Sequence, residues 1–229
     1  MKREKYIQYF TEKKSLQCSI LDFLDSTENS EYYFQNLIQF INIQRYNDDK
    51  EELTHFLQLI SQISENHHRS PLFIDKIEKI ILHFKSIIKK TLSNFEIFSI
   101  FQKDKLILLF LFDNEILTID KTIQKVLMSK KFNDGTKYCH FFFPELKRFN
   151  DNDTNQKIEK ELLEYDQTVF HFFNEKRHKG ENDSYICDLI RNDSIKDFIS
   201  HINQINLPLD SYIKKSLFES NFHLIRKKV

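Results

Sequence analysis

Apolar residues recur at helical spacing from near one end of this chain to the other. Leu16, Ile20, Phe23 and Leu24 fall at intervals 0, 4, 7 and 8, and Phe34, Leu37, Ile38 and Ile41 at 0, 3, 4 and 7. Leu53, Phe56, Leu57, Ile60 and Ile63 repeat that pattern behind Asp48 and Glu51, a capping-box pairing. Ser70 and Pro71 mark the next start as N-cap and first helical residue. Ile74, Ile77, Ile81, Phe84 and Ile88 follow at a/d spacing, too short a run for a coiled coil, so a core helix is expected. Ser93 and Glu96 signal a further helix start.

The run Leu106–Phe112 is apolar at every position, which suits a buried strand as well as a buried helix, and helical neighbours favour the helix. Ile119, Ile123, Val126 and Leu127 form another amphipathic set. Periodicity then lapses over 133–155, around Gly135 and Pro144, where a connection with a short element at Tyr138–Leu146 is expected. The triple Phe141–Phe143 reads as a buried plug. Beyond it, Ile158, Leu162, Tyr165, Val169 and Phe172 predict one long helix, and Glu175–Asn182 a charged loop. Short helices are expected at Tyr185–Arg191, at Ile195–Asn203 and from about Ser211 to Glu219. The pattern predicts an all-α chain of about nine to eleven helices, an irregular, α-solenoid-like array without a regular repeat. The expected domains are an N-terminal helical bundle over 1–132, the irregular connection over 133–155 and C-terminal helical hairpins over 156–229, with one continuous domain as the alternative.

Composition narrows the function. Among 229 residues there are two glycines, no tryptophan and no alanine. Phosphate-cradling loops, dinucleotide fingerprints and nucleophile elbows need glycine for positive φ and close backbone approach. Most enzyme templates fall away on that count. Lys+Arg and Asp+Glu both number 34 and interleave, which opposes a dedicated nucleic-acid binder. The charged start Met1–Lys14 predicts no secretory leader, and the seven-residue run Leu106–Phe112 is too short to cross a membrane. Three scattered cysteines, Cys18, Cys139 and Cys187, read as reduced thiols of a cytoplasmic protein.

Candidate chemistry is sparse. His67–His68 and Cys139–His140 are adjacent pairs that cannot share a helix face, and His171 and His178 stand seven apart across polar chain. No metal, cofactor-binding or catalytic residue is assigned. Cys187 sits in an apolar stripe where a thiol fills core. Arg226–Lys228 reads as a solubilising tail.

The stretch Asn182–Ile225 carries a resemblance. Its phrases Tyr185–Ser194, Asp197–Ile199, Asn206–Leu209, Ser216–Asn221 and Leu224–Ile225 resemble the segment just before the ankyrin repeats in expanded protist ankyrin-repeat families, and Phe170–Lys179 suits the same region. On this resemblance the C-terminal hairpins over 156–229 would precede ankyrin repeats. The 229 residues themselves contain no Thr-Pro-Leu-His phrase and no recognisable ankyrin repeat. The resemblance implies an N-terminal helical region acting as a non-catalytic protein–protein interaction module, with a protein partner, following repeats or a second copy against Leu217, Phe218, Phe222, Leu224 and Ile225. The alternative is a membrane-peripheral or nucleic-acid-associated helical protein, using a basic stripe of Lys85, Lys89 and Lys90.

Overall fold

The computed structural model describes residues 2–43, 49–66, 71–133, 137–167, 169–208 and 216–218. These residues form fourteen α-helices and one 3-10 turn, with no strand among the described residues. The chain is all-α and irregular, with more helices than expected. The excess comes from the single turns α8 (Lys130–Asn133), α9 (Tyr138–Phe141) and α10 (Phe143–Leu146), which are too short to show a period.

Two compact units emerge, Met1–Phe101 and Gln102–Val229. The division falls some thirty residues before the boundary expected after residue 132, and the contacts of 102–132 give the reason. The Phe112 ring meets Phe142 edge-on at 5.5 Å, Phe132 meets Tyr138 at 5.2 Å, and the Tyr138 hydroxyl donates to the Gln102 carbonyl at 2.8 Å. Nor is 133–155 a mere connection: Tyr138, Phe141, Phe142, Phe143 and Leu146 are buried core. The phenylalanine triple is the plug its sequence suggests.

The first unit holds α1 (Lys2–Asp25), α2 (Ser30–Ile43), α3 (Lys50–Asn66), α4 (Pro71–Thr91) and α5 (Asn94–Phe101). The apolar positions read from spacing in α2, and Leu53 to Ile63 in α3, are its interior. Phe23 packs on Phe34 at 5.2 Å and Phe56 edge-on to Phe84 at 5.3 Å. Asp49 caps α3, its carboxylate accepting from the Glu51 amide at 2.6 Å; Asp48 and Ser70, the caps expected from sequence, lie outside the described residues. The Lys76 amine of α4 donates to the Phe23 and Leu24 carbonyls, supplying the end of α1 with the donors its last turn lacks. Ser93 and Glu96 form the expected box: the Glu96 carboxylate accepts from the Ser93 amide at 2.9 Å.

In the second unit the ambiguous run is α6 (Lys105–Asp113), buried from Lys105 to Leu111, as a helix apolar on every side must be. Asp104, itself buried, caps it by accepting from Leu106 and Ile107 amides at 3.0 and 3.2 Å. Asp120 caps α7 (Lys121–Leu127) in the same way. The long helix expected through Phe172 is two pieces. α11 (Asn152–Tyr165) ends where Asp166 turns extended, and Val169–His171 is a 3-10 turn. The expected charged loop is instead helical over α12 (Phe173–Lys179), closed by Gly180 at φ 61°, a left-handed cap that glycine adopts without strain. α13 (Tyr185–Arg191) and α14 (Ile195–Gln204) match expectation. The helix expected over 211–219 lies outside the described residues except for Ser216–Phe218, which are not helical.

Candidate functional site

Of the docking residues expected from sequence, Leu217 and Phe218 are interior, 3% and 0% exposed, and offer no surface to a partner. Their burial has a plain cause: the second unit's own aromatic and polar side chains surround them. Phe222, Leu224 and Ile225 lie outside the described residues, as do His67, His68 and the Arg226–Lys228 tail.

The basic run Lys176–Arg177–His178–Lys179 forms the last turn of α12, where positive charge suits the helix dipole. Each member meets an acid. Lys176 reaches Asp183 at 3.0 Å and Asp166 at 3.5 Å, and His178 reaches Asp113 at 2.8 Å. Lys179 pairs with Glu175 at 2.7 Å, which raises the pKa of the amine. Arg177 is buried between the Phe173 and Phe141 rings, 5.2 and 5.7 Å from its guanidinium carbon. It holds Glu145 with both terminal nitrogens at 2.7–3.0 Å and donates to the Phe141 carbonyl at 3.0 Å. The cations of this turn are therefore neutralised by acids of the same unit. Lys89 and Lys90 are exposed in the last turn of α4, while Lys85 is half-buried.

One array has the layout of nucleophilic catalysis. The one-turn α9 brings Cys139 Sγ within 3.3 Å of His140 Nδ1, although adjacency argued against any joint role. His140 Nε2 lies 2.7 Å from a Glu161 carboxylate oxygen of α11. With Nε2 donating to Glu161, Nδ1 is left as acceptor and the thiol donates to it. A base held in place by a third group is the arrangement of an activated nucleophile. Its surroundings oppose that use: burial, then the Glu161 charge, pushes the Cys139 thiol up to about 11, and burial lowers the pKa of His140. Thiol and imidazole both stay neutral at physiological pH. The groove of about 390 Å³ lined by Phe143, Pro144, Lys147, Glu159, Phe170 and Phe173 does not include them. No group of three or more metal-ligating side chains occurs among the described residues.

Apolar exposure gathers on the α13–α14 hairpin. Tyr185, Ile190, Ile195, Ile199 and Ile205 are 56%, 51%, 61%, 50% and 48% exposed. Ser184 starts α13, its hydroxyl accepting from the Cys187 amide, and Asp193 at φ 50° turns the chain into α14. Ile195 and Ile199 stand four apart, so they share one face of α14. Only Ile202 of that helix is buried. The spacing that marks an amphipathic helix was legible here, but spacing cannot say whether its apolar side is covered.

No family model matches the chain, and no curated protein or solved structure is significantly similar to it. Among the described residues no helix is long and apolar enough to cross a membrane.

Proposed function

We propose that this chain is a non-catalytic protein–protein interaction module, and that the exposed aliphatic side of α13–α14 is its docking surface. The observation that carries the reading is the half-exposed set Ile190, Ile195, Ile199 and Ile205 with Tyr185 on one helical hairpin. Exposed large apolar side chains gathered on one helical hairpin are candidates for an association site. Stacked helical units bury such faces on the next pair, so the fitting partner is another helical hairpin, including the ankyrin repeats that the sequence resemblance implies. A membrane-peripheral or nucleic-acid role would rest on Lys85, Lys89 and Lys90 of α4, and the basic turn of α12 lends it no support because its cations are paired with acids.

The test is a photo-crosslinking amino acid at position 199, with position 160 as control, since Lys160 is an exposed charged site on α11. Position 199 should yield a discrete protein adduct, mapped to this hairpin and lost when Ile195→Glu is added. Equal crosslinking at 199 and 160 would overturn the reading.

A further inference from the structure

The segment Ser216–Leu217–Phe218 is held as a bound peptide would be. Its backbone is gripped by side chains: Lys105 of α6 donates its amine to the Leu217 carbonyl at 3.2 Å, and the Leu217 amide donates to the Tyr165 hydroxyl at 3.4 Å. The Ser216 hydroxyl donates to Asp183 at 2.6 Å, and Tyr165 donates to the same carboxylate oxygen at 3.1 Å. Phe218 is fully buried, edge-on to Phe173 at 5.5 Å and to Tyr165 at 6.5 Å, with the Lys176 amine 5.5 Å from its ring centre. The residues that grip this tripeptide lie 33 to 112 positions from their partners in it along the chain.

We propose that the side chains around this segment form a peptide-binding site for a bent Ser-Leu-Phe segment, closed on itself by the Phe218 amide donating to the Ser216 hydroxyl at 3.0 Å, filled here by the chain's own residues and able to take the same segment from a second copy. The chemistry follows the general logic of peptide recognition, in which main-chain hydrogen bonds supply affinity and a side-chain pocket supplies selectivity. Lys105 and Tyr165 read the backbone of the central residue, Asp183 reads the hydroxyl, and the Phe173–Tyr165 pocket reads the aromatic ring. Exchange of an identical element between copies needs no new contact, because the site is already complementary to it. This site is separate from the α13–α14 face, so either proposal can fail alone.

The probe is a fluorescein-labelled octapeptide of residues 214–221, Lys-Lys-Ser-Leu-Phe-Glu-Ser-Asn. It is titrated by anisotropy into the native chain, into Phe218→Ala, and into Phe218→Leu, which keeps most of the apolar volume if the alanine variant does not fold. A tethered segment competes at an effective concentration on the order of 1 mM. For a peptide of about 10 µM affinity, the native chain should therefore bind about 100-fold more weakly than the emptied site. Saturable binding to a folded variant, lost when the peptide's phenylalanine is replaced by alanine, supports the proposal. Its absence from every variant that circular dichroism shows to be folded overturns it, and so does binding that ignores the peptide's phenylalanine.

Discussion

Replacing Glu145 by alanine tests whether the buried arginine of α12 is as dependent on its partner as its geometry implies. Arg177 is 3% exposed at its side chain and Glu145 21%, with three nitrogen–oxygen contacts between them at 2.7–3.0 Å. Removing one member of a buried pair costs about 3–5 kcal/mol, because the remaining charge stays desolvated. Arg177 would keep two neutral acceptors, the Phe141 carbonyl at 3.0 Å and Asn174 Oδ1 at 2.8 Å. Those acceptors, and the partial exposure of Glu145, place the loss near the lower end, about 3 kcal/mol. That is more than a hundredfold in the folding equilibrium. With a urea slope of about 1–3 kcal/mol per molar, the midpoint should fall by about 1–3 M. Circular dichroism at 222 nm is the readout, since the chain has no tryptophan. The companion Glu145→Leu/Arg177→Met removes both charges and should recover most of the loss. A cost for Glu145→Ala within the ~0–1 kcal/mol of an exposed pair would refute the reasoning, as would a double variant no better than the single.

Further expectations follow from other contacts. The Lys50 amine and the Ser93 cap hold Glu96 at a pKa of about 2, against an ordinary 4.5. A depressed carboxylate contributes stability that is complete above 4.5 and is lost as pH falls through about 2. The stability difference between the native chain and Glu96→Gln should therefore shrink over that window, and a difference constant with pH would contradict it. Cys18 is exposed while Cys139 and Cys187 are buried, so Ellman's reagent should titrate one thiol fast and two only on unfolding. Asp120→Ala removes an acceptor lying 2.8 and 2.9 Å from the Thr122 and Ile123 amides and should cost about 1 kcal/mol by thermal melt. Glu115 sits at φ 54°, so Glu115→Gly should raise stability by about 0.5–1 kcal/mol, and a loss in urea titration would count against strain there.

Where apolar spacing and burial coincide, the sequence is a sound guide. Leu53, Phe56, Leu57, Ile60 and Ile63 are interior as their period requires, and the Ser93–Glu96 box forms as written. What escaped is tertiary in origin. Phe173–Lys179 has no apolar stripe, and its cations are matched by Glu145, Asp113, Asp166 and Asp183, from scattered places along the chain. The expected long helix fails at Asp166, where periodicity continues but the backbone does not. Leu217 and Phe218 looked exposed because the residues that cover them, Lys176, Phe173, Tyr165 and Lys105, are 42 or more positions away in sequence. In α14, Ile195, Phe198, Ile199 and Ile202 keep helical spacing, but only burial distinguishes a covered stripe from an open one.

The scarcity of glycine leaves its mark on the corners. Asn29, Glu115, Lys137, Asp193 and Asn206 all adopt positive φ with a Cβ in place. A residue with a side chain has only a small island of conformations there, whereas glycine roams widely. Asp193 places that restriction at the bend between α13 and α14, which narrows the angles the hairpin can adopt. On the docking role proposed above, a face held in this way would lose less conformational freedom on association, which favours selectivity.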